Sequence, residues 1–184
     1  MANKIKYNLK NVHVAKMLTN DGTSVTYDTP VHIPGAVSLS MEPQGEISKF
    51  YADGIVYWQG AANNGYEGDL EMALFPEYFY TDLLGDEVDE NGVRYENSDA
   101  SPTPFALMFE FDGDVNAIRH CLYNCLATRP TLESETKEDS IEPKTETSTI
   151  SASPLPDGSV KASTGPETDS TIYQNWYSSV PMKD

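Results

Sequence analysis

Alternation of apolar and polar residues is the dominant pattern along the chain, and a period of two is typical of β-strands with one buried face. It is clearest in two segments, Gly35 to Glu42 and Gly65 to Phe75. The apolar side carries Val37, Leu39 and Met41 in the first segment and Tyr66, Leu70, Met72 and Leu74 in the second. The other side carries Ser38, Ser40, Glu42, Glu67, Asp69 and Glu71. We therefore predict two strands whose second face is polar and strongly acidic.

The same alternation and the turn signals between segments predict the remaining strands. The predicted segments are Ile5 to Leu18 (bent near Lys10 and Asn11), Ser24 to Tyr27, Phe105 to Phe111, Ala117 to Thr128, Lys144 to Ser153 and Ser159 to Thr164. Asp112-Gly113 predicts a tight turn between the two strands beside it, and Pro156-Asp157-Gly158 predicts a hairpin between the last two segments.

A single segment, Pro76 to Leu84, has a helical pattern, because proline is tolerated at a first helical position and Gly85 follows the end. The acidic segment Asp86 to Ala100 predicts an exposed loop or hairpin, and Glu133 to Glu146 an extended, solvated stretch. Residues 165–184 end in aromatic residues and are expected to pack against the body. The sequence thus predicts one mainly β domain, a β-sandwich or barrel with one short flanking α-helix.

The acidic composition restricts the function. The chain of 184 residues carries a formal net charge of -17. A protein that grips nucleic acid needs a positive surface, so a DNA-binding module is excluded. The sequence has no apolar run near the roughly 20 residues that a membrane helix needs, and its N-terminus does not resemble a secretory signal. We expect a soluble protein that folds in the cytoplasm without contacting a membrane.

Residues that carry chemistry are present but are not arranged in known motifs. Cys121 and Cys125 are four apart, so on a regular strand they share a face with Cα atoms about 13 Å apart, too far for a disulfide. We expect free thiols. The three histidines, His13, His32 and His120, form no metal-spaced pair. The sequence therefore predicts no metal site and no cofactor.

Catalytic patterns are equally lacking. The stretch from Glu87 to Ser98 resembles a calcium loop only at its start, because position twelve lacks the bidentate glutamate. No phosphate-binding loop and no Gly-x-Ser-x-Gly elbow occurs. Glu110 and Asp112 share a strand face, but chance pairs of acids are expected among 29 acidic residues. We predict that the protein is not an enzyme.

Seven segments in register resemble the major tail tube proteins of siphophages that infect Gram-positive bacteria. They are LKNVHVAKML from Leu9, PVHIPGAVSLSMEPQGE from Pro30, FYADG from Phe50, NNGYEGDLEMALFPEYF from Asn63, FALMFEFDGD from Phe105, HCLYNCLATRP from His120 and ASPLPDGSVKA from Ala152. The resemblance spans nearly the whole chain. It implies one tail tube domain over residues 1–184, with no added immunoglobulin-like domain.

The resemblance implies that copies of the chain form rings of six subunits, which stack into a tube. It implies assembly around a tape measure protein in the host cytoplasm, contacts with tail terminator and distal tail proteins, and passage of genomic DNA through the lumen of the virion tail. The long connection 43–64 is then expected to be an arm that reaches the next ring. Its contact residues would be Phe50, Tyr51, Ile55, Val56, Tyr57 and Trp58, which are of the types enriched in interface cores. The acidic side described above would line the lumen.

Three alternative functions remain open at the level of sequence. A different tube or tail-completion protein would share the same fold. A carbohydrate-binding β-sandwich would use Tyr57, Trp58 and Tyr66 as stacking platforms, and an acid-base hydrolase would use paired carboxylates. Copy number in the particle and a substrate screen distinguish these alternatives.

Overall fold

A curled antiparallel sheet of nine strands forms the body of the protein. The computed structural model describes residues 2–136 and 142–183. The strands are β1 (Lys6–Asn20), β2 (Val25–Tyr27), β3 (Val31–His32), β4 (Ala36–Gln44), β5 (Ile47–Ala52), β6 (Ile55–Ala61), β7 (Gly65–Met72), β8 (Glu87–Val88), β9 (Arg94–Tyr95), β10 (Phe105–Gly113), β11 (Ile118–Ala127), β12 (Glu146–Ser153) and β13 (Lys161–Ser163). A π-helical turn spans Phe79–Leu83, and the helix α1 spans Ser170–Gln174. The mainly β prediction is confirmed.

The order of strands in the main sheet is β2-β1-β10-β11-β12-β7-β4, with β3 paired to β1 and β13 paired to β11. Strands β1 and β4 approach each other although they lie far apart in this order. The sheet therefore curls around its interior like an incomplete barrel. Two short hairpins, β5–β6 and β8–β9, stand apart from it.

The interior of the curl is the larger of two hydrophobic cores. It contains the buried side chains of Val14, Leu70, Leu107 and Ile150 from four different strands. The π-helical turn adds Phe79 and Leu83, both fully buried. Residues at every second position of the strands point into this core, as the alternation in the sequence predicts.

A second core lies on the opposite face of β1, β10 and β11. There Met108, Cys121 and Tyr123 pack beneath the C-terminal segment, which contributes Trp176 and, partly buried, Tyr177. The segment is held at its start by Asp169, whose carboxylate accepts hydrogen bonds from the backbone N–H groups of Thr171 and Ile172. Strand β10 is consequently buried on both faces.

Two asparagines produce the predicted bend in β1. Asn8 and Asn11 have φ angles of 54° and 51°, and the pairing of β1 with β10 shifts at both positions. The Asn8 side chain donates to Asp112 and the Asn11 side chain donates to Glu110, at 2.8 and 2.7 Å. Asparagine tolerates the left-handed conformation, and each bulge is fixed by an acid on the neighbouring strand.

The predicted hairpin between the last two strands is wrong. Strand β12 pairs with β11 at Asn124–Ala127, and β13 pairs with β11 at His120–Leu122, both antiparallel. The two strands therefore run in the same direction along one edge of β11, as one interrupted strand. The turn at Pro156-Asp157-Gly158 closes a short excursion, in which Leu155 N–H donates to the Ser159 carbonyl.

Two apolar residues of the predicted strands do not face the core. Val37 is 50 % exposed because β4 bulges between Ala36 and Ser38, so that Ala36 packs against the core instead. Leu74 is 69 % exposed because β7 ends at Met72, and the alternation does not continue to Phe75.

The helical prediction is confirmed in position, with two differences. The segment Phe79–Leu83 is a π-helical turn, and a second short helix, Ser170–Gln174, occurs in the C-terminal segment. Burial of Phe79 and Leu83 holds the first turn in place. Of the stretch Glu133 to Glu146, residues 137–141 lie outside the described residues.

Candidate assembly surfaces

The polar residues of β4 and β7 form one continuous surface, as the register of the two strands shows. Ser38 pairs with Glu71, Ser40 with Asp69 and Glu42 with Glu67. Strand β12 extends the same surface on the other side of β7, since Thr147, Thr149 and Ser151 pair with the same three acids. We call these nine residues the polar face. The contribution of β12 was missed in the sequence, although Thr and Ser at alternate positions indicate it.

Hydrogen bonds hold two of the four acids of the polar face, Glu71 and Asp69, in place. The Glu71 carboxylate accepts hydrogen bonds from the hydroxyls of Thr145, at 2.6 Å, and Ser38, at 2.7 Å, and these bonds lower the pKa of Glu71. The Thr149 hydroxyl donates to Asp69 at 2.8 Å. No ion pair between described residues involves an acid of this face. The face thus carries negative charge that no described cation neutralises through an ion pair.

The connection between β4 and β7 is a β-hairpin, not a loop. Strands β5 and β6 pair with each other alone, around the turn Asp53-Gly54. Both turn residues have positive φ, 53° and 78°, as a two-residue type I′ turn requires. Asp-Gly between β-branched and aromatic residues is a strong hairpin signal that the sequence reasoning overlooked. We call the hairpin from Ile47 to Ala61 the arm.

Both faces of the arm are apolar and exposed. Phe50 and Trp58 are cross-strand partners on one face, and Tyr51 and Val56 are partners on the other. The exposed fractions of the side chains of Phe50, Tyr51, Ile55, Val56, Tyr57 and Trp58 lie between 42 and 69 %. A single chain rarely exposes so much contiguous apolar surface unless another surface covers it. The structure therefore brings the predicted contact residues together on one projecting element.

Glu110 and Asp112, the carboxylates considered for hydrolysis, have structural partners. Arg119 pairs with Glu110 at 2.9 Å, and Lys10 pairs with Asp112 at 2.7 Å, which lowers the pKa of Asp112. The Arg119 guanidinium also stacks on the Tyr173 ring, with its central carbon 4.0 Å from the ring centroid. This cluster fastens the C-terminal segment to the sheet and leaves neither carboxylate free as an acid or base.

The two cysteines are free thiols, as predicted, but they do not share a face. Cys121 lies in the second core and Cys125 in the first, because β11 bulges between Leu122 and Cys125. Burial raises the pKa of both thiols, that of Cys125 to about 12. They are neutral packing residues near pH 7.

The other groups considered for ligand binding also have local partners. The Asp89 carboxylate accepts hydrogen bonds from the backbone N–H groups of Asn91 and Val93, so it stabilises a turn. Tyr66 is half-buried and accepts a hydrogen bond from Lys161, whereas Tyr57 and Trp58 lie on the arm. Among residues 2–136 and 142–183, no group of three or more His, Cys, Asp or Glu side chains is placed to hold a metal ion.

Comparison with known proteins identifies the family. The family described as "Phage tail tube protein" matches residues 2–179. No curated protein matches the sequence. Two solved structures align with this chain at 11 % sequence identity, the anti-feeding prophage cap (AFP tube terminating cap) and the PVC sheath/tube terminator of an extracellular contractile injection system in its extended state. The TM-scores are 0.45 and 0.43, and the alignments cover 90 % and 84 % of this chain and 95 % and 93 % of the others.

In the part of the chain that the structure describes, we find no helix of the length and apolarity needed to cross a membrane. The family match covers residues 2–179, nearly the entire chain. The chain belongs to the phage tail tube protein family.

Proposed function

We propose that this protein is the tail tube subunit of a siphophage, whose copies form rings, six subunits to a ring, that stack into a tube for DNA ejection. The observation that carries this proposal is the arm, whose two faces both expose aromatic and aliphatic side chains. Such a surface needs a protein partner, and in a homopolymer the partner is a neighbouring copy. The protein acts as a structural component of the virion and catalyses no reaction.

The edges of the sheet support ring formation. Among the described residues, β4 has a strand partner only on its β7 side, and β2 ends the sheet on the opposite side. Exposed edges invite pairing with other chains, and a closed ring of subunits covers them. Ring closure is therefore a second reason, independent of the arm, for the chain to assemble with itself.

The polar face supports a role as the lumen wall. DNA must move through a tail without binding to it, and carboxylates repel phosphates, whereas lysines would bind them. The repulsion acts over roughly 8 Å in physiological salt, which suffices to keep a duplex off the wall. In this proposal Ser38, Ser40, Glu42, Glu67, Asp69 and Glu71 line the channel.

The remaining partners follow from this role. Before DNA enters, the lumen holds a tape measure protein, and the ends of the tube bind a tail terminator and distal tail proteins. Assembly takes place in the cytoplasm of a Gram-positive host and requires no membrane. The second candidate, a different tube or tail-completion protein of the same fold, predicts a few copies per particle instead of many.

Replacement of the arm tests the proposal. The backbone N–H of Ala62 donates to the carbonyl of Glu46, so residues 47–61 can be replaced by the two-residue turn Asn-Gly without separating β4 from β7. The intact protein should form uniform tubes or stacked rings in negative-stain electron microscopy. The variant should remain folded, as judged by a cooperative unfolding transition, and should form no tubes.

A matched control leaves the arm in place and changes an unrelated exposed loop, for example Thr23→Ser in the β1–β2 turn. This control should form tubes like the intact protein. Normal tubes from the armless variant would contradict the role of the arm, and an intact protein that stays monomeric would contradict the proposed function itself.

A further inference from the structure

The arm and the β8–β9 hairpin lie beyond opposite ends of β7. The backbone bonds from Asn64 to Gln44 and from Ala62 to Glu46 continue the β4–β7 ladder into the arm, so the arm extends past the start of β7. The chain leaves the other end of β7 at Met72 and reaches β8 after the π-helical turn. Eight residues of strand separate the two ends by roughly 25 Å. In copies that stack head to tail, the arm of one subunit therefore points to the β8–β9 end of the next.

The β8–β9 hairpin has one side that faces the body and one that faces outward. Val88 and Arg94 are cross-strand partners, and the Arg94 guanidinium lies 3.6 Å from the centroid of the Tyr80 ring and 3.4 Å from Asp86. Arg94 on this side therefore contacts the body, while Val88 remains 41 % exposed. Glu87 and Tyr95 are the other pair and face away, with Val93 at the alternate position to Tyr95.

The outward side has the composition of an interface. The side chains of Tyr95 and Val93 are 55 % and 47 % exposed, and no described cation pairs with Glu87. The hairpin is firmly attached, because the buried Asp86 at its base binds Arg129 at 2.7 Å. We call Glu87, Val93 and Tyr95 the receiving patch.

One face of the arm complements the receiving patch. Lys49 and Tyr51 are two apart on β5 and share a face with Val56, the partner of Tyr51. Lys49 is the only cation between Gly45 and Asn64. This face thus offers apolar side chains and one positive charge to a patch where Tyr95 and Val93 adjoin two carboxylates, Glu87 and Asp89, the second of which accepts a hydrogen bond from the Tyr95 hydroxyl.

We propose that the receiving patch binds the Lys49 face of the arm of a second copy of this chain. The proposal rests on the proposed function, because it assumes head-to-tail stacking. The Phe50–Trp58 face of the arm remains available to another neighbouring subunit. The pairing of Lys49 with Glu87 then sets the orientation of one ring on the next, because complementary charges fix register across an interface.

Charge reversal in the full-length protein tests this contact. Lys49→Glu and Glu87→Lys each place like charges together, and each should raise the protein concentration needed for tube formation about tenfold or more. The double variant restores opposite charges. The protein concentration that it needs for tube formation should lie within about threefold of that of the unmodified protein. Glu167→Lys, on the exposed C-terminal segment, is the control and should behave like the original protein.

A cross-link provides a second measurement that does not depend on altered assembly. In Lys49→Cys/Glu87→Cys tubes, oxidation should give disulfide-linked ladders of subunits, since the native cysteines are buried. Single reversals that assemble normally, or a double cysteine variant whose tubes give no ladder, would refute the receiving patch while leaving the proposed function intact. Failure of the original protein to form rings or tubes would instead refute the proposed function.

Discussion

At the scale of single residues, His120 makes stability depend on pH. Burial and the nearby charges of Lys161 and Lys6 lower the pKa of His120 to about 4. Its ring stacks on Phe109, with the ring centroids 5.1 Å apart. The folded protein therefore favours the neutral imidazole, and the unfolded chain binds a proton near pH 6.5. The resulting stability is present above about pH 6.5 and is lost as the pH falls towards 4.

Between pH 7.5 and pH 4, we predict that the free energy of unfolding falls by about 2 kcal/mol more in the unmodified protein than in His120→Gln. This figure allows for solvent screening. Urea unfolding at both pH values measures the free energies. Carboxylates that titrate over the same range contribute equally to both proteins, so the difference isolates the histidine. If the free energy of unfolding changed equally with pH in the two proteins, protonation of His120 in the folded state would not destabilise the protein.

At the scale of elements, Gly68 allows β4 and β7 to approach closely. A Cβ atom at Gly68 would lie 1.8 Å from the Ser40 carbonyl oxygen and 2.8 Å from the Met41 Cα. Both of these atoms belong to backbone paired with β7, so they cannot move away as a side chain can. The curl of the sheet at the polar face therefore depends on glycine at this position.

Gly68→Ala should lower the free energy of unfolding by about 2 to 4 kcal/mol, because the strands must separate to admit the methyl group. Gly165→Ala is the matched control: nothing lies within 4 Å of its added Cβ, and the expected change is within about 0.5 kcal/mol. Denaturant unfolding of both variants measures the effect. Equal stability of the two variants would mean that β4 can shift without loss of pairing.

At the scale of the whole molecule, the proposed position of the polar face in the lumen can be tested by its effect on DNA ejection. We predict that phage with Glu67→Lys, Asp69→Lys and Glu71→Lys form tails but eject DNA more slowly, because a lysine wall binds phosphates. The control changes the same residues to Gln, Asn and Gln, which removes the charge and keeps hydrogen-bonding groups for Ser38, Thr145 and Thr149. Ejection is followed by fluorescence of released DNA. A normal rate from the lysine variant would place these residues outside the lumen.

Local patterns in the sequence predict most strands of the main sheet and the two sides of each strand. Alternation placed Leu39 and Leu70 inside and Ser40 and Asp69 outside, because side chains of a strand alternate between faces. It also indicated the bend near Asn11. These features depend on neighbours along the chain, which the sequence shows directly. The position of the arm also follows from local sequence, because Asp53-Gly54 is a local signal for a hairpin turn.

How the strands combine depends on contacts between residues that are far apart in the chain. A bulge reverses the facing of every residue beyond it, so Cys121 and Cys125 lie in different cores although their spacing predicts one face. The collinear pairing of β12 and β13 with β11, the covering of β10 by Trp176 and the hairpin anchored by Asp86 likewise depend on partners distant in the sequence. Alternation specifies which side of a strand is apolar. Register, bulges and long-range pairing specify which residues that side contacts.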